Sequence, residues 1–151
     1  MLSPFIITPY VSAGPVTLGM TRTQLHALLG PPDSSRKSRF VPKVTDRWLA
    51  EDLTITLSHD AGSVVEIGFG SDQSEAEVAG VRLFDRVGPD VYRDLCRADG
   101  APREDVGFTV LFKFGITLDG FLVAEQDDRA VTVFAKGSWD ENDARLKPAK
   151  L

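Results

Sequence analysis

Few residues of this 151-residue chain could carry out nucleophilic or acid–base catalysis: it contains one cysteine, Cys96, and two histidines, His26 and His59. Cys96 follows Leu95 on the apolar side of a predicted helix, where a free cysteine is usually buried and unreactive. His26 is predicted on the surface of another helix and His59 in a hairpin turn, and both positions favour solvated or helix-end roles over that of a general base. We therefore predict that the protein is not an enzyme.

The same inventory is poor in ligands for metals and cofactors. One cysteine and two histidines cannot build a zinc cluster. The adjacent carboxylates are the pairs Glu51-Asp52, Asp127-Asp128 and Asp140-Glu141. Such pairs in turns are usually solvated, whereas a metal site needs carboxylates that converge in space. Gly68-Phe69-Gly70 lacks the third glycine and the following helix of a dinucleotide-binding loop. No metal and no cofactor are predicted.

The charge balance indicates the kind of partner. The chain has 17 Lys and Arg against 22 Asp and Glu, which gives a net charge of -5. Proteins that bind the phosphate backbone of nucleic acids concentrate Lys and Arg, so we predict no nucleic-acid partner. A basic protein is the expected partner.

Length and hydropathy predict one cytoplasmic domain. The composition, 42% hydrophobic and 26% charged, is that of an ordinary soluble domain that can bury a core without disulfides. Residues 1–12 lack the basic region of a signal peptide, and no stretch approaches the ~18 consecutive apolar residues of a membrane span. A single cysteine suits a reducing compartment, and no membrane partner is predicted.

Two similar segments indicate an internal repeat. Ala13-Gly14-Pro15-Val16-Thr17-Leu18 corresponds to Ala79-Gly80-Val81-Arg82-Leu83, and Leu83 comes 65 positions after Leu18. A helix is predicted after each segment, over residues 21–29 and 88–96. Because each is followed by a Gly-x-Pro sequence, the same pattern of turn, helix and stop occurs twice.

Each predicted helix carries its own start signal and apolar stripe. In the first, Thr21 and Gln24 have the spacing of a capping box, and the stripe consists of Leu25, Leu28 and Leu29. In the second, Pro89 suits the first helical turn and Asp90 the positive end of the helix dipole. Its inward side chains are expected to be Val91, Leu95 and Tyr92.

Strand patterns follow each helix. Residues 53–57 alternate between apolar and polar and pair with residues 64–69, and residues 116–118 and 131–135 are their counterparts. The hairpin turns are predicted at residues 59–62 and 126–129. A further strand over residues 108–114 would place Phe108, Val110, Phe112 and Phe114 on one face.

These elements predict an α+β fold. It is a tandem pseudo-repeat of a helix plus antiparallel strands, in which the two units share one sheet and both helices lie on one face. Residues 1–151 form a single domain, with repeat one at 13–70 and repeat two at 79–139. The charged C-terminal tail, residues 140–151, is expected to be frayed.

A helix motif carries a resemblance to known proteins. Gly14 to Arg22, read as G-P-V-T-L-G-M-T-R and followed by Leu25, Leu28, Leu29, Gly30 and Pro32, resembles the "G-M-T-R … L-G-x-P" motif. That motif recurs in the tandem-repeat β-lactamase inhibitor proteins, in small outer-membrane assembly lipoproteins, and in two-repeat bacterial proteins that are presumed immunity partners of polymorphic toxins. The second half resembles the last group at Gly115, Ile116, Leu118, Val131, Val133, Phe134 and Gly137.

The resemblance implies a scaffold and the broad role of a protein inhibitor. This chain lacks the lipid-attachment cysteine of the lipoproteins and the disulfide cysteines of the secreted inhibitors. It is therefore predicted to be a cytoplasmic immunity protein that neutralises a bacterial toxin by occlusion.

The predicted partner-binding residues are acidic side chains, which would steer a basic surface, and two tryptophans, which would supply buried contact. They are Trp48, Glu51, Asp52, Asp60, Glu66, Asp119, Asp127, Asp128 and Trp139. Thr54, Thr56 and Glu66 are expected on the outer face of the sheet. The alternative functions are a small-molecule-binding or enzymatic domain that uses a cleft between the repeats, and a structural subunit of a larger complex.

Overall fold

The fold is mixed α+β, and the computed structural model describes residues 4–58, 62–123 and 128–149. In chain order the elements of these residues are β1 (Ile6–Thr8), β2 (Ser12–Ala13), β3 (Val16–Thr17), α1 (Arg22–Leu29), β4 (Ser34–Lys37), β5 (Lys43–Trp48), β6 (Leu53–Ser58), β7 (Val64–Gly70), β8 (Glu77–Val78), β9 (Val81–Arg82), α2 (Gly88–Asp99), β10 (Arg103–Asp105), β11 (Phe108–Leu111), β12 (Ile116–Asp119), β13 (Ala130–Phe134) and β14 (Lys147–Pro148).

The strands form two sheets. The large sheet has the order β14-β10-β11-β12-β13-β7-β6-β5-β4, and all its neighbouring strands are antiparallel. The small sheet has the order β3-β2-β1-β8-β9. At the centre of the large sheet, β7 of the first half pairs with β13 of the second half, with Gly68 opposite Thr132. In the small sheet, β1 of the first half likewise pairs with β8 of the second half, so the two halves of the chain meet in both sheets.

Helix α1 begins as its sequence predicts. The Thr21 hydroxyl accepts a hydrogen bond from the Gln24 backbone N–H at 3.1 Å, and the Gln24 side chain accepts one from the Thr21 N–H at 3.0 Å. This capping box satisfies two backbone donors that the first turn leaves without partners. The helix ends at Leu29 before Gly30, and Leu25 is fully buried, whereas Leu28 is 45% exposed. Only part of the predicted apolar stripe therefore reaches the core.

A substitution in the capping box tests whether these two hydrogen bonds stabilise α1. Replacing Thr21 with alanine is expected to lower the free energy of unfolding by about 1 kcal/mol, because a backbone donor loses its partner. Urea unfolding measures the change. Thr23→Ala is the matched control, since Thr23 is exposed inside the same helix. If both variants unfold at the same urea concentration, the cap does not stabilise the helix.

Helix α2 is longer than the predicted 88–96 and continues to Asp99, where Gly100 adopts a left-handed conformation at φ 85° and ends it. Val91, Tyr92, Leu95 and Cys96 are buried, which confirms their predicted inward direction. Burial raises the pKa of the Cys96 thiol to about 11. The thiol is therefore protonated at neutral pH and contributes to packing.

The strands predicted over residues 53–57, 64–69 and 116–118 are present as parts of β6, β7 and β12, and the strand predicted over residues 131–135 is present as β13 up to Phe134. The predicted strand over residues 108–114 is wrong beyond Leu111, because the chain turns there. Phe108 and Phe112 contact one buried cluster and Phe114 belongs to the other. Most of the predicted turns 59–62 and 126–129, including Asp60 and Asp127, lies outside the described residues.

The C-terminal segment does not fray as predicted. β14 pairs with β10, and Leu146 is only 4% exposed. The Arg103 guanidinium donates a hydrogen bond to the Leu146 carbonyl at 2.9 Å. Leu146 thus holds a charged segment against the sheet, which the composition of the segment did not reveal.

Two apolar clusters form the core. The larger joins both helices and both sheets and includes Leu25, Leu95, Ile7 and Ile55. The smaller contains Val110, Phe134 and Leu146, against which Tyr10, Phe108, Phe112 and Trp139 pack. Neither helix of the described part is long and apolar enough to cross a membrane.

Candidate functional site

One face of the large sheet is polar where β5, β6 and β7 lie. Along β6, Leu53, Ile55 and Leu57 are buried in the larger core cluster, while Thr54 and Thr56 are half-buried between them. Since successive side chains of a strand point to opposite faces, the two threonines share the face away from that cluster. This placement of Thr54 and Thr56 confirms the sequence prediction.

The strand register shows which other side chains share that face. Directly opposite residues of paired strands lie on the same face, and the pairing runs Arg47, Thr54, Gly68, Thr132, Thr117 and Val110 across the sheet. Val110 belongs to the smaller apolar cluster, which the C-terminal segment covers through Leu146. The C-terminal segment therefore covers the second half of this face and leaves the first half open.

The open half contains a broad cleft of about 550 Å³, which we call the open cleft. Its polar lining consists of Arg47, Asp52, Thr54, Thr56, Glu66, Gly68, Gly70, Ser71, Asp72, Asp128, Arg129 and Thr132. Residues of both halves of the chain contribute, because β7 and β13 are neighbours. The cleft thus lies across the junction of the two halves.

Gly68 keeps the middle of this cleft unobstructed. A Cβ atom at this position would lie 3.3 Å from the Thr54 carbonyl oxygen and 3.6 Å from the Thr132 hydroxyl. The first of these contacts is tight and the second is an ordinary van der Waals contact, so a side chain at position 68 would cover the Thr54 carbonyl and the Thr132 hydroxyl. The absence of a side chain leaves backbone and hydroxyl groups accessible from solvent.

Negative charge predominates in the open cleft, which is lined by four carboxylates and two guanidiniums. Three of the carboxylates come from loops at one end of the sheet: Asp52 precedes β6, Asp72 follows β7 and Asp128 precedes β13. The register sets these strand ends side by side, with Leu53 opposite Phe69 and Gly70 opposite Ala130. The topology therefore brings together acids that are distant in the sequence.

The four carboxylates of the open cleft differ in their accessibility to a binding partner. The Asp52 carboxylate accepts hydrogen bonds from the backbone N–H groups of Gly70 at 3.1 Å and Asp72 at 3.2 Å, so it holds the loop together. Glu66 lies 3.7 Å from the Lys43 ammonium. The side chains of Asp72 and Asp128 belong to exposed residues at the rim. Asp72 and Asp128 are thus the carboxylates most accessible to a partner.

The remaining acidic residues of the prediction lie near the cleft or outside the described residues. Asp119 is exposed and pairs with Ala130 on the strand beside the cleft. Glu51 is half-buried in the turn before β6, where its carbonyl accepts a hydrogen bond from the Gln73 side chain.

The structure corrects one of the two predicted tryptophan contacts. Trp48 is only 4% exposed, and its indole N–H donates a hydrogen bond to the Gly30 carbonyl at 3.1 Å. It lies on the core side of β5 because it alternates with the exposed Arg47. Trp139 is half-buried, and its ring meets Phe108 edge-on at 5.4 Å. Trp48 is therefore removed from the proposed contact surface, whereas the predicted partner contact of the half-buried Trp139 stays a prediction.

A second polar cluster, centred on Asp46, was not predicted from the sequence. The Asp46 side chain is fully buried and accepts hydrogen bonds from Arg22 at 3.0 and 2.8 Å and from the Ser35 hydroxyl at 2.6 Å. The His26 Nε2 atom lies 2.7 Å from the same carboxylate. Asp46 sits at a core-facing position of β5, where alternation predicts an apolar residue, so only its apolar neighbours Val44 and Trp48 could have indicated its burial.

This cluster ties α1 to β4 and β5. Burial alone would raise the pKa of Asp46, but the hydrogen bonds from Arg22, Ser35 and His26 lower it to about 2. A carboxylate with so low a pKa is a weak base. Ser35 donates to Asp46 and not to His26, so the cluster differs from a catalytic serine–histidine pair. Its geometry serves to fix the helix on the sheet.

The low pKa of Asp46 predicts acid sensitivity. Because the pKa in the folded protein lies below the ordinary value of 3.8, the stabilisation is complete above about pH 4 and is lost as the pH falls towards 2. The expected loss is about 2 kcal/mol. Urea unfolding at a series of pH values measures it, with Asp46→Asn as the comparison. Parallel pH curves for the two proteins would contradict the prediction.

No group of three or more His, Cys, Asp and Glu side chains in the described part of the chain could hold a metal ion. Comparisons with protein-family models, with curated proteins and with solved structures found no match to this chain. The geometry of the open cleft is therefore the basis for assigning a function.

Proposed function

We propose that the chain is a tandem repeat whose two helices lie on the same side of the large sheet. Strands β8 and β9 begin and end 65 positions after β2 and β3, the offset seen in the sequence. Leu25 of α1 and Leu95 of α2 share one buried cluster with Ile55 and Val133 of the sheet. This arrangement leaves the opposite face, with its open cleft, without a helix over it.

We further propose that the protein is a non-enzymatic, cytoplasmic inhibitor of bacterial origin, which binds a basic protein in the open cleft and blocks it by occlusion. An immunity protein that neutralises a cognate toxin is the specific form of this proposal. The observation that carries it is the convergence of Asp52, Glu66, Asp72 and Asp128 on one open, polar surface. A broad, open cleft with excess negative charge suits a basic protein surface better than it suits a small ligand.

The charge of the cleft would act mainly on the rate of association. Asp72 and Asp128 are exposed at the rim of the open cleft. A cation on the partner can therefore approach their carboxylates without breaking contacts inside a folded loop. Carboxylates in such positions steer an oppositely charged partner and speed its approach. The closer contact would then involve the hydroxyl groups of Thr54, Thr56 and Thr132.

Charge reversal at the rim tests this proposal. The double variant Asp72→Lys/Asp128→Lys is expected to slow association with the partner roughly tenfold or more at low salt and to flatten its salt dependence. Stopped-flow association with the protein encoded beside this chain measures the rate. The control is Asp85→Lys/Glu141→Lys, which makes the same charge change at exposed residues outside the cleft. Equal rates for the two double variants would move the interface elsewhere.

The alternative of a small-molecule site has one observation in its favour. The open cleft spans both halves of the chain, and its volume of about 550 Å³ falls in the range of ligand pockets. Isothermal titration with the isolated protein partner separates the two functions. Binding of the protein partner to the chain alone supports the inhibitor proposal. A small molecule that binds in the open cleft and prevents binding of the protein partner supports the small-molecule alternative.

A further inference from the structure

A basic and aromatic hairpin projects from the edge of the large sheet. It consists of β4, the loop over residues 38–42 and the start of β5, and we call it the edge hairpin. Two backbone hydrogen bonds close its loop, from Ser38 N–H to the Lys43 carbonyl at 2.9 Å and from Lys43 N–H to the Val41 carbonyl at 2.8 Å. The tip is therefore a defined turn.

The tip exposes apolar side chains to solvent. Phe40 is 91% exposed and Val41 is 49% exposed. An aromatic ring in this position contributes nothing to the core of the protein and has no concave surface of its own around it. Its apolar area can be buried only by something that surrounds a convex tip.

Cations flank this tip on both sides of the sheet. Arg36 lies opposite Thr45 on the polar face, Lys37 lies opposite Val44 on the core face, and Arg39 adjoins Phe40 in the loop. Lys43 lies 3.7 Å from Glu66, which partly neutralises it. Positive charge is thus concentrated here in a chain whose net charge is -5.

Protection of a sheet edge explains only part of this pattern. Charged side chains on an edge strand prevent pairing with other chains, which accounts for Arg36 and Lys37. That function does not require an exposed phenylalanine at the tip. The combination of aromatic tip and flanking cations is instead typical of groups that enter the interface of a membrane.

We propose that the edge hairpin docks on a membrane surface rich in anionic phospholipids. Phe40 and Val41 would enter the boundary between headgroups and acyl chains, and Arg36, Lys37 and Arg39 would contact the phosphate groups. A fluid lipid interface can enclose a convex tip on all sides, which a flat protein surface cannot. The sequence-based expectation of no membrane partner rested on the lack of a long apolar stretch, and a hairpin that docks on the membrane surface does not need such a stretch.

Vesicle binding tests the proposal with probes of defined composition. The wild-type protein is expected to sediment with vesicles of phosphatidylcholine mixed with phosphatidylglycerol, and much less with phosphatidylcholine alone. Lys37→Glu/Arg39→Glu should weaken binding about fivefold or more for each cation lost, the equivalent of about 1 kcal/mol each. Arg82→Glu/Arg97→Glu, the same charge change at exposed residues elsewhere, should bind more tightly than the hairpin variant.

Substitutions at the tip test the apolar contribution separately. Phe40→Ala should weaken binding roughly tenfold or more, because the aromatic area is no longer buried. Val106→Ala is the matched control, since Val106 is also 91% exposed but lies on a different loop, and it should bind like the wild type. In Phe40→Trp, brominated lipids should quench the new indole, whereas the buried Trp48 should be little affected.

Three results would overturn the proposal. They are absence of binding to the anionic vesicles, equal loss in the hairpin variants and their controls, and binding of a single-stranded oligonucleotide through Phe40 with no binding to vesicles. No residue of the edge hairpin lines the open cleft, although Lys43 lies 3.7 Å from Glu66 of the cleft lining. Loss of vesicle binding would therefore not affect the cleft proposal. Failure of the cleft proposal would likewise not affect the proposed membrane docking.

Discussion

Replacement of Arg22 with alanine is expected to lower the free energy of unfolding by about 3 kcal/mol, because it removes the main cation from a fully buried carboxylate. Arg22 donates two hydrogen bonds to Asp46, at 3.0 and 2.8 Å. Without them, Ser35 and His26 remain as the partners of Asp46 among the described contacts. Urea unfolding at neutral pH measures the loss.

Arg36→Ala is the control for this experiment. Arg36 lies on the neighbouring strand β4 and is exposed, so its truncation should change the free energy of unfolding by less than about 0.5 kcal/mol. Asp46 should also lose its low pKa in the Arg22 variant, which makes the acid sensitivity smaller. A loss below about 1 kcal/mol for Arg22→Ala would show that the ion pair does not hold α1 on the sheet.

Replacement of Gly88 with alanine is expected to destabilise the fold by about 3 kcal/mol, since the new methyl group would overlap backbone. A Cβ atom at Gly88 would lie 2.1 Å from the Phe121 carbonyl oxygen and 2.9 Å from its carbonyl carbon. Neither atom can rotate away as a side chain could. Helix α2 or the turn after β12 would have to shift.

Gly68→Ala is the matched control for Gly88. Its Cβ would meet the nearest backbone atom at 3.3 Å, a contact that a small shift can relieve. It should therefore cost less than about 1 kcal/mol. Thermal unfolding of both variants measures the difference, and equal midpoints would contradict the close approach at Gly88.

Local features of the fold were predictable where short-range chemistry decides them. The start of α1 follows from Thr21 and Gln24, and the inward face of α2 follows from the spacing of Val91 and Leu95. The alternation of residues 53–57 correctly assigned the polar face of β6. Each of these depends on residues within a few positions of one another.

Features that depend on long-range pairing were not predictable. The strands of the small sheet are two or three residues long and carry no period of their own. Asp46 reads as an exposed strand residue until Arg22 and Ser35 are placed beside it. Trp48 reads as an exposed anchor until Gly30 is found to accept its N–H group.

Only part of the candidate site was predictable, because long-range strand pairing brings its residues together. Asp52, Glu66 and Asp128, which the sequence placed on an acidic binding surface, line the open cleft. Asp72, Arg47 and Thr132 were missed, because only the pairing of β7 with β13 brings their strands to one place. The cover that the C-terminal segment gives to the second half depends on one buried side chain, Leu146.

A bulky label in the open cleft tests whether the protein partner binds there. The only native cysteine, Cys96, is 1% exposed and has a raised pKa, so a thiol reagent should modify an introduced cysteine selectively. The comparison is between a maleimide-linked polymer on Thr54→Cys, in the cleft, and on Arg97→Cys, exposed on α2. If the partner docks in the open cleft, the label at position 54 abolishes binding of the neighbouring-gene protein and the label at position 97 leaves it intact. Full binding by the protein labelled at position 54 would show that the partner does not occupy the open cleft.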